Sequence, residues 1–226
     1  MMKAGGRMRV TTYEEMLALL EEIGFMGLGN GTGYLSLESV TDPEAWHRGD
    51  ERDPWEWKDR IAKRRDGAYA RVFRGKPALI SPAWYPIFRA AFETHDELEE
   101  RYQTGHLDPM TRRLAQCFAR RPIWARHELT AELGVGKAEK SRFESALARL
   151  QGEMRITPSG TAPKIAASGE IMGWPSLEYT RVDVWMPAEW GISPLSSGEA
   201  RAKIAEQMQT VCPELDARAM RRLIGA

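Results

Sequence analysis

Two cysteines and four histidines in 226 residues leave little for disulfide or metal chemistry. Cys117 and Cys212 cannot build a disulfide framework or a zinc site of the usual kind, and both are expected to be reduced. His47, His95, His106 and His127 are scattered with no ligand spacing such as His-x-x-x-His, so neither a metal nor another cofactor is expected. No stretch approaches the roughly eighteen apolar residues that a membrane span needs. The opening MMKAGGRMRV is basic and lacks the apolar run of a signal peptide, which makes cytoplasm the expected compartment. Net charge is missing too, since 32 Lys and Arg balance 32 Asp and Glu. That argues against a protein that coats nucleic acid nonspecifically, although a balanced total can hide segregation along the chain. Internal repeats and low-complexity tracts are absent. At 42% hydrophobic and 28% charged, the chain has the composition of a folded globular protein with one substantial core or two small ones.

The charge is in fact segregated. Glu93 to Asp108 holds six acids against one Arg, whereas Arg112 to Arg155 holds ten Lys or Arg against five Glu. A basic module therefore follows an acidic connector, and its pattern is that of three helices and a two-stranded wing. Asp108 is placed to cap a helix with Pro109 at its first position, and Leu114 and Phe118 recur on one face before Pro122 stops it. A second short helix carries Leu129 and Leu133 and ends at Gly134, where glycine suits the left-handed closing conformation. After the Gly-Val-Gly turn a third helix buries Phe143, Ala146, Leu147 and Leu150. Its other side, with Lys137, Lys140, Ser141 and Ser145, is left to solvent or a partner. This is the layout of a winged helix-turn-helix.

Upstream, residues 1–12 read as a flexible leader. Thr11 or Thr12 can then cap a helix with Met16, Leu19, Leu20 and Ile23 inside, ended by Gly24. Five glycines from Gly24 to Gly33 invite a phosphate-loop reading, but no Gly-Lys-Ser/Thr follows and the spacing is not that of a dinucleotide loop. A structural turn is the better account, with a flexible loop lining a pocket as the alternative. Thr41 to Trp57 sets Trp46, Trp55 and Trp57 among Asp42, Glu44, Asp50, Glu51, Asp53 and Glu56. That composition fits either a pocket for a base or cation, or a helix capped by Asp53 at Pro54 with Trp55 packed inward. The helix runs on through a basic end to about Gly67. Tyr69, Val72 and Phe73, the turn at Gly75, Lys76 and Pro77, and Ala78 to Ile80 then form a hairpin. Ser81 and Pro82 start a helix with Trp84, Ile87, Phe88 and Phe92 inside.

Beyond the basic module, the alternation from Tyr179 to Met186 predicts a strand pairing with wing strands at Met154 to Ile156 and Lys164 to Ala167. From Ser196 one helix carries Ile204, Met208 and Val211, and a second, after Pro213, carries Leu215, Met220 and Leu223. The expected class is α+β, mainly helical, with winged helix-turn-helix modules and short hairpins in one compact fold. Its regions are residues 13–105, a helical part with a hairpin and a degenerate winged helix; residues 106–190, a winged helix with an extended strand; and a helical tail over residues 191–226.

Two stretches, FRGKPALISPAWYPIF from Phe73 to Phe88 and the central winged helix, resemble the winged-helix DNA glycosylases of the AlkZ and YcaQ type. The run DPWEWKDRIAKRRDGAYARVF is similar to a smaller group called AlkZ-related, a resemblance extending from about Tyr13 to Trp190. It implies a partner in double-stranded DNA and a link to repair of alkylated or crosslinked bases. The glycosylases carry a Gln-apolar-Gln or Gln-apolar-Asp motif ahead of the hairpin, which positions the attacking water. Phe25 to Tyr34 here has no Gln or Asp, and Asn30 is its lone amide side chain. The Gln207 to Gln209 triplet lies in the tail and reads as chance.

Three functions are therefore weighed. The first is a DNA-binding protein without the glycosylase machinery, whose phosphate contacts come from Lys137, Lys140, Arg142, Arg149, Arg155 and Lys164 around the small Ser141 and Ser145. Glu139 and Glu144 beside that face favour instead a solvated surface for protein contact. The second is an active glycosylase with a displaced site, for which Asp53 or Glu56 would orient water and Trp55 or Trp57, with Asn30, would line the pocket for an extruded base. The third is a scaffold that binds a protein partner through its aromatics and acidic connector.

Overall fold

The computed structural model describes residues 9–94, 97–166 and 168–225. The first helix, α1 (Tyr13–Ile23), is set by local chemistry. Thr12 accepts from the Glu15 N–H, Glu15 returns to the Thr12 backbone, and Gly24 closes the helix at φ 86°. Residues 1–8 of the expected leader lie outside the described residues. Its end is anchored rather than flexible, because Val10 is buried and its N–H donates to the Val40 carbonyl. Strand β1 (Phe25–Gly27), α2 (Leu37–Val40) and α3 (Pro54–Arg64) follow. α3 stops before Gly67 because Arg65 takes the left-handed conformation, φ 59°. The hairpin of β2 (Ala68–Phe73) and β3 (Lys76–Ile80) leads to α4 (Tyr85–Phe92) and α5 (Leu98–Gln103). His95, one of the four histidines without ligand spacing, lies outside the described residues.

The second half repeats the order: α6 (Pro109–Arg120), β4 (Ile123–Ala125), α7 (Arg126–Glu132), α8 (Lys140–Gly152), β5 (Ile156–Ala162) and β6 (Ser176–Arg181). Each half thus runs helix, strand, helix, helix, strand, strand. The sheets are antiparallel with orders β1-β3-β2 and β4-β6-β5, the same arrangement of first, third and second strand. Short α9 (Val182–Trp185) and helices α10 (Ser197–Val211) and α11 (Ala217–Ile224) complete the chain. Among the described residues no helix is long and apolar enough to cross a membrane.

The halves pack reciprocally, α3 against β5 and α8 against β2. Across this seam Thr157 Oγ1 donates to the Tyr69 carbonyl at 3.2 Å, and Trp185 Nε1 donates to the Ala62 carbonyl at 3.2 Å. One apolar cluster joins Phe25, Phe73, Phe88 and Tyr85 to Met154, Trp185, Ile204 and Ile224, so the tail helices close the core of the first half. A separate cluster, Leu114, Phe118, Leu129, Phe143 and Leu147 with Tyr179, fills the second half.

Two strand expectations fail. The strands that pair after α8 are β5 and β6, rather than strands at Met154 to Ile156 and Lys164 to Ala167. β5 contains Pro158 and Gly160, residues that normally mark strand ends, and it kinks there with a shifted register. Lys164 lies in the long loop after β5, where Ile165 bridges Ile171; Ala167 lies outside the described residues. The strand expected through Met186 ends at Arg181, because Val182 and Trp185 are both buried at a spacing of three, which a helical turn satisfies.

Candidate nucleic-acid interface

α8 divides its residues as its apolar stripe requires. Phe143, Ala146, Leu147 and Leu150 are buried, and Lys140, Ser141, Arg142 and Ser145 are exposed, with Lys137 on the short 3-10 turn that leads in. Ser141, Arg142 and Ser145 line one side of a groove of about 500 Å³, and Asp108, Pro109, Met110 and Arg113 line the other. Asp108 accepts from Thr111 as the N-cap of α6. Burial alone would raise the Asp108 carboxyl, but Thr111 and nearby Arg149 hold it below the ordinary aspartate range.

Most cations of the basic stretch are committed to neighbours. Arg112 pairs with Glu99, Arg120 with Glu132, and Arg121 with Glu128 while lying over the Trp124 ring. Glu144 pairs with Arg126, so one of the two acids beside the face is neutralised within the protein. Glu139 remains at the groove. Lys137, Lys140 and Arg142 carry no ion pair among the described residues.

The other three expected contacts lie elsewhere. Arg149 lies toward the C-terminal end of α8, about 13 Å along the helix axis from Lys140, and Arg155 follows the helix; both belong to a network around Glu153. Arg149 Nε donates to Glu153 at 3.0 Å and its Nη2 to the His106 carbonyl at 2.7 Å, while Arg155 lies 3.5 Å from Glu153. Arg101 adds a bidentate contact at 3.0 and 2.8 Å. Burial would raise the Glu153 carboxyl; Arg101 and Arg149 pull it below the glutamate range. Lys164 is exposed on the loop after β5, its carbonyl accepting from Met172 at 2.8 Å. The structure therefore brings together Lys137, Lys140, Ser141, Arg142 and Ser145; Arg149 reaches their groove only at Asp108, 3.7 Å from its carboxylate, and Arg155 lies with Glu153.

The tryptophan and acid stretch resolves the other way round from the expected packing. Trp57, not Trp55, points inward. It is 1% exposed, meets the Tyr13 ring edge-on at 6.5 Å, and donates from Nε1 to the Glu51 carbonyl. Trp55 is 40% exposed, between Lys58 Nζ at 4.2 Å and the His47 ring at 5.1 Å. Asp53 is buried and accepts from the backbone N–H groups of His47, Gly49 and Trp55. Burial alone would raise its carboxyl, yet these donors hold it below the aspartate range. Its two oxygens thus organise the loop over residues 47–53. Glu56 is exposed on the wall of a cleft of about 370 Å³ between α3 and β5, with Glu51, Asp59, Arg60 and Lys63. Asn30 is not among the residues lining that cleft; its Oδ1 accepts from Ser36 Oγ at 2.6 Å. Among the described residues no group of three or more His, Cys, Asp and Glu is arranged to hold a metal.

Gln207 and Gln209 lie on α10 and serve the fold, their amide groups donating to the carbonyls of Ile23 and Pro213. Two surface features escaped the sequence reading. The loop between β5 and β6 exposes Ile165, Ile171, Met172 and Trp174, which belong to no apolar periodicity. α11 exposes Arg218, Arg221 and Arg222, whose spacing of three and four is visible in the sequence as one helical face.

Comparison with known proteins adds three findings. A family profile described as AlkZ related matches residues 10–225. No curated protein matches the chain. The solved structure of the Streptomyces sahachiroi DNA glycosylase AlkZ is similar at 16% identity, over 77% of this chain and 51% of that one, with a TM-score of 0.40. The chain spans about half the length of that protein.

Proposed function

The chain belongs to the AlkZ-related family, and on that premise we propose that it is a DNA-binding winged-helix protein lacking the glycosylases' usual catalytic amide pair. In this reading the second half is the winged helix: α6, α7 and α8 are its three helices, and β5 and β6 with their loop are its wing. The observation that carries it is the cluster of Lys137, Lys140 and Arg142, exposed at the start of the third helix and free of ion pairs among the described residues. Counterions released from phosphate by such cations supply affinity without sequence preference. Ser141 and Ser145 are small enough to let a backbone approach, and their hydroxyls donate to phosphate oxygens.

The three α8 cations contribute about −2.7 to the slope of log affinity against log salt, or roughly 40-fold between 50 and 200 mM. Fluorescence anisotropy with a duplex, run across salt on the wild type and on K140E/R142E, tests this. Weakened binding and a shallower slope in the variant are expected. Binding absent at low salt, or indifferent to the double reversal, overturns the proposal.

A second reading, an active glycosylase with a displaced site, draws support from Glu56, an exposed carboxylate on the wall of the α3–β5 cleft. Its test is base release from alkylated duplex by the wild type and by Glu56→Gln. Release that is lost in the variant supports that reading, and the absence of release from the wild type removes it.

A further inference from the structure

We propose that the outward face of α11, together with the tip of the β2–β3 hairpin, forms a second surface for the phosphate backbone of nucleic acid. Arg218, Arg221 and Arg222 share one side of α11, all exposed, with no ion pair among the described residues. Side chains three and four residues apart on a helix are neighbours, so the three guanidiniums make one patch. The helix carrying them is held firmly. Asp216 caps its start by accepting from the Ala219 N–H, and Arg201 donates to the Ile224 and Gly225 carbonyls at 2.9 and 2.6 Å at its end.

The hairpin lies beside this helix. α11 packs against β2. The glycine turn after β1 joins the two elements: a Cβ at Gly31 would lie 3.7 Å from Lys76 Nζ, and one at Gly33 would lie 3.8 Å from Leu215, just ahead of α11. Arg74 and Lys76 are exposed at the hairpin tip.

The chemistry favours a phosphate polymer over a lipid surface. An amphipathic helix that lies in a membrane inserts its apolar face, but here Ile224 is buried in the core of the first half and Ala219, Met220 and Leu223 are partly buried against it. The large side chains that are exposed on this helix are the three arginines. Arginine's fork matches phosphate oxygens two at a time, and such contacts act through counterion release.

The inference rests on the DNA-binding reading for its ligand, but its residues are separate from those on α8. Its test compares four full-length proteins by anisotropy on one duplex between 50 and 200 mM KCl: wild type, R218Q/R221Q/R222Q, R74Q/K76Q and K140E/R142E. The arginine triple should flatten the salt slope by about 2.7 and the hairpin double by about 1.8, with thermal melting unchanged. If the triple keeps the wild-type slope while the α8 double weakens binding, this proposal is overturned and the α8 reading stands. If the triple weakens binding and the α8 double does not, the reverse holds. A wild type that binds no duplex overturns both. A triple that loses only cosedimentation with phosphatidylserine vesicles, duplex binding intact, shows a lipid surface and also overturns it.

Discussion

Replacing Glu153 should cost more stability than any other single carboxylate in the second half, because three guanidiniums converge on it. Arg101 engages it with two hydrogen bonds, Arg149 with one, and Arg155 lies 3.5 Å away. The Glu153 and Arg101 side chains are 14% and 16% exposed, so their attraction is poorly screened. Removing one partner of a buried pair costs roughly 3–5 kcal/mol. Arg149 and Arg155 are more solvated, which puts the expected cost of Glu153→Ala somewhat below that range, about 2–3 kcal/mol. Glu153→Gln, which keeps an acceptor, should cost about half of that. Urea unfolding measures both, with the loss in midpoint at constant m. Since the folded carboxyl titrates below its unfolded value near 4.3, the stability it confers is full above that pH and is lost as pH falls through the depressed folded value. Wild type should therefore lose stability on the acid side more steeply than Glu153→Gln. A cost for Glu153→Ala under about 0.5 kcal/mol, the range of exposed pairs, together with parallel acid limbs, would refute this account of the α5–α8 junction.

Two other substitutions follow from local geometry. Gly24→Ala meets both a left-handed backbone, φ 86°, and the Trp84 indole 2.3 Å from the added Cβ, so a loss of about 2 kcal/mol or more is expected in thermal melting. Asp53→Ala strips three backbone N–H groups of their acceptor and should cost about 2 kcal/mol, with faster amide exchange over residues 47–53; unchanged exchange there would show that the loop does not depend on it.

The parts of the fold legible in the sequence are those that local chemistry decides. The Thr12–Glu15 box, the Asp-Pro starts of α3 and α6, and the closing conformation at Gly24 each need only neighbouring residues to specify them. Position relative to distant elements was not legible. Trp55 and Trp57 both fit a capped helix, and packing of Trp57 against Tyr13 and the rest of its apolar cluster selects it for burial. β5 carries Pro158 and Gly160, and its hydroxyls pair across the sheet, Thr180 donating to Ser159 at 2.7 Å, so it shows no apolar alternation. The run from Tyr179 to Met186 carries the period of a strand, and the turn to α9 is imposed by what buries Val182 and Trp185. At the candidate interface, composition identified a basic stretch but not its internal pairing. Whether an arginine faces solvent or a glutamate such as Glu153 depends on contacts far apart in the chain.

Amide hydrogen exchange of the whole chain with and without a duplex tests the central claim most directly. Protection confined to residues 137–145, with a second protected stretch over residues 217–224 if the further surface is also used, is the predicted result. Unchanged exchange over residues 137–145 under conditions where anisotropy shows the duplex bound would contradict it.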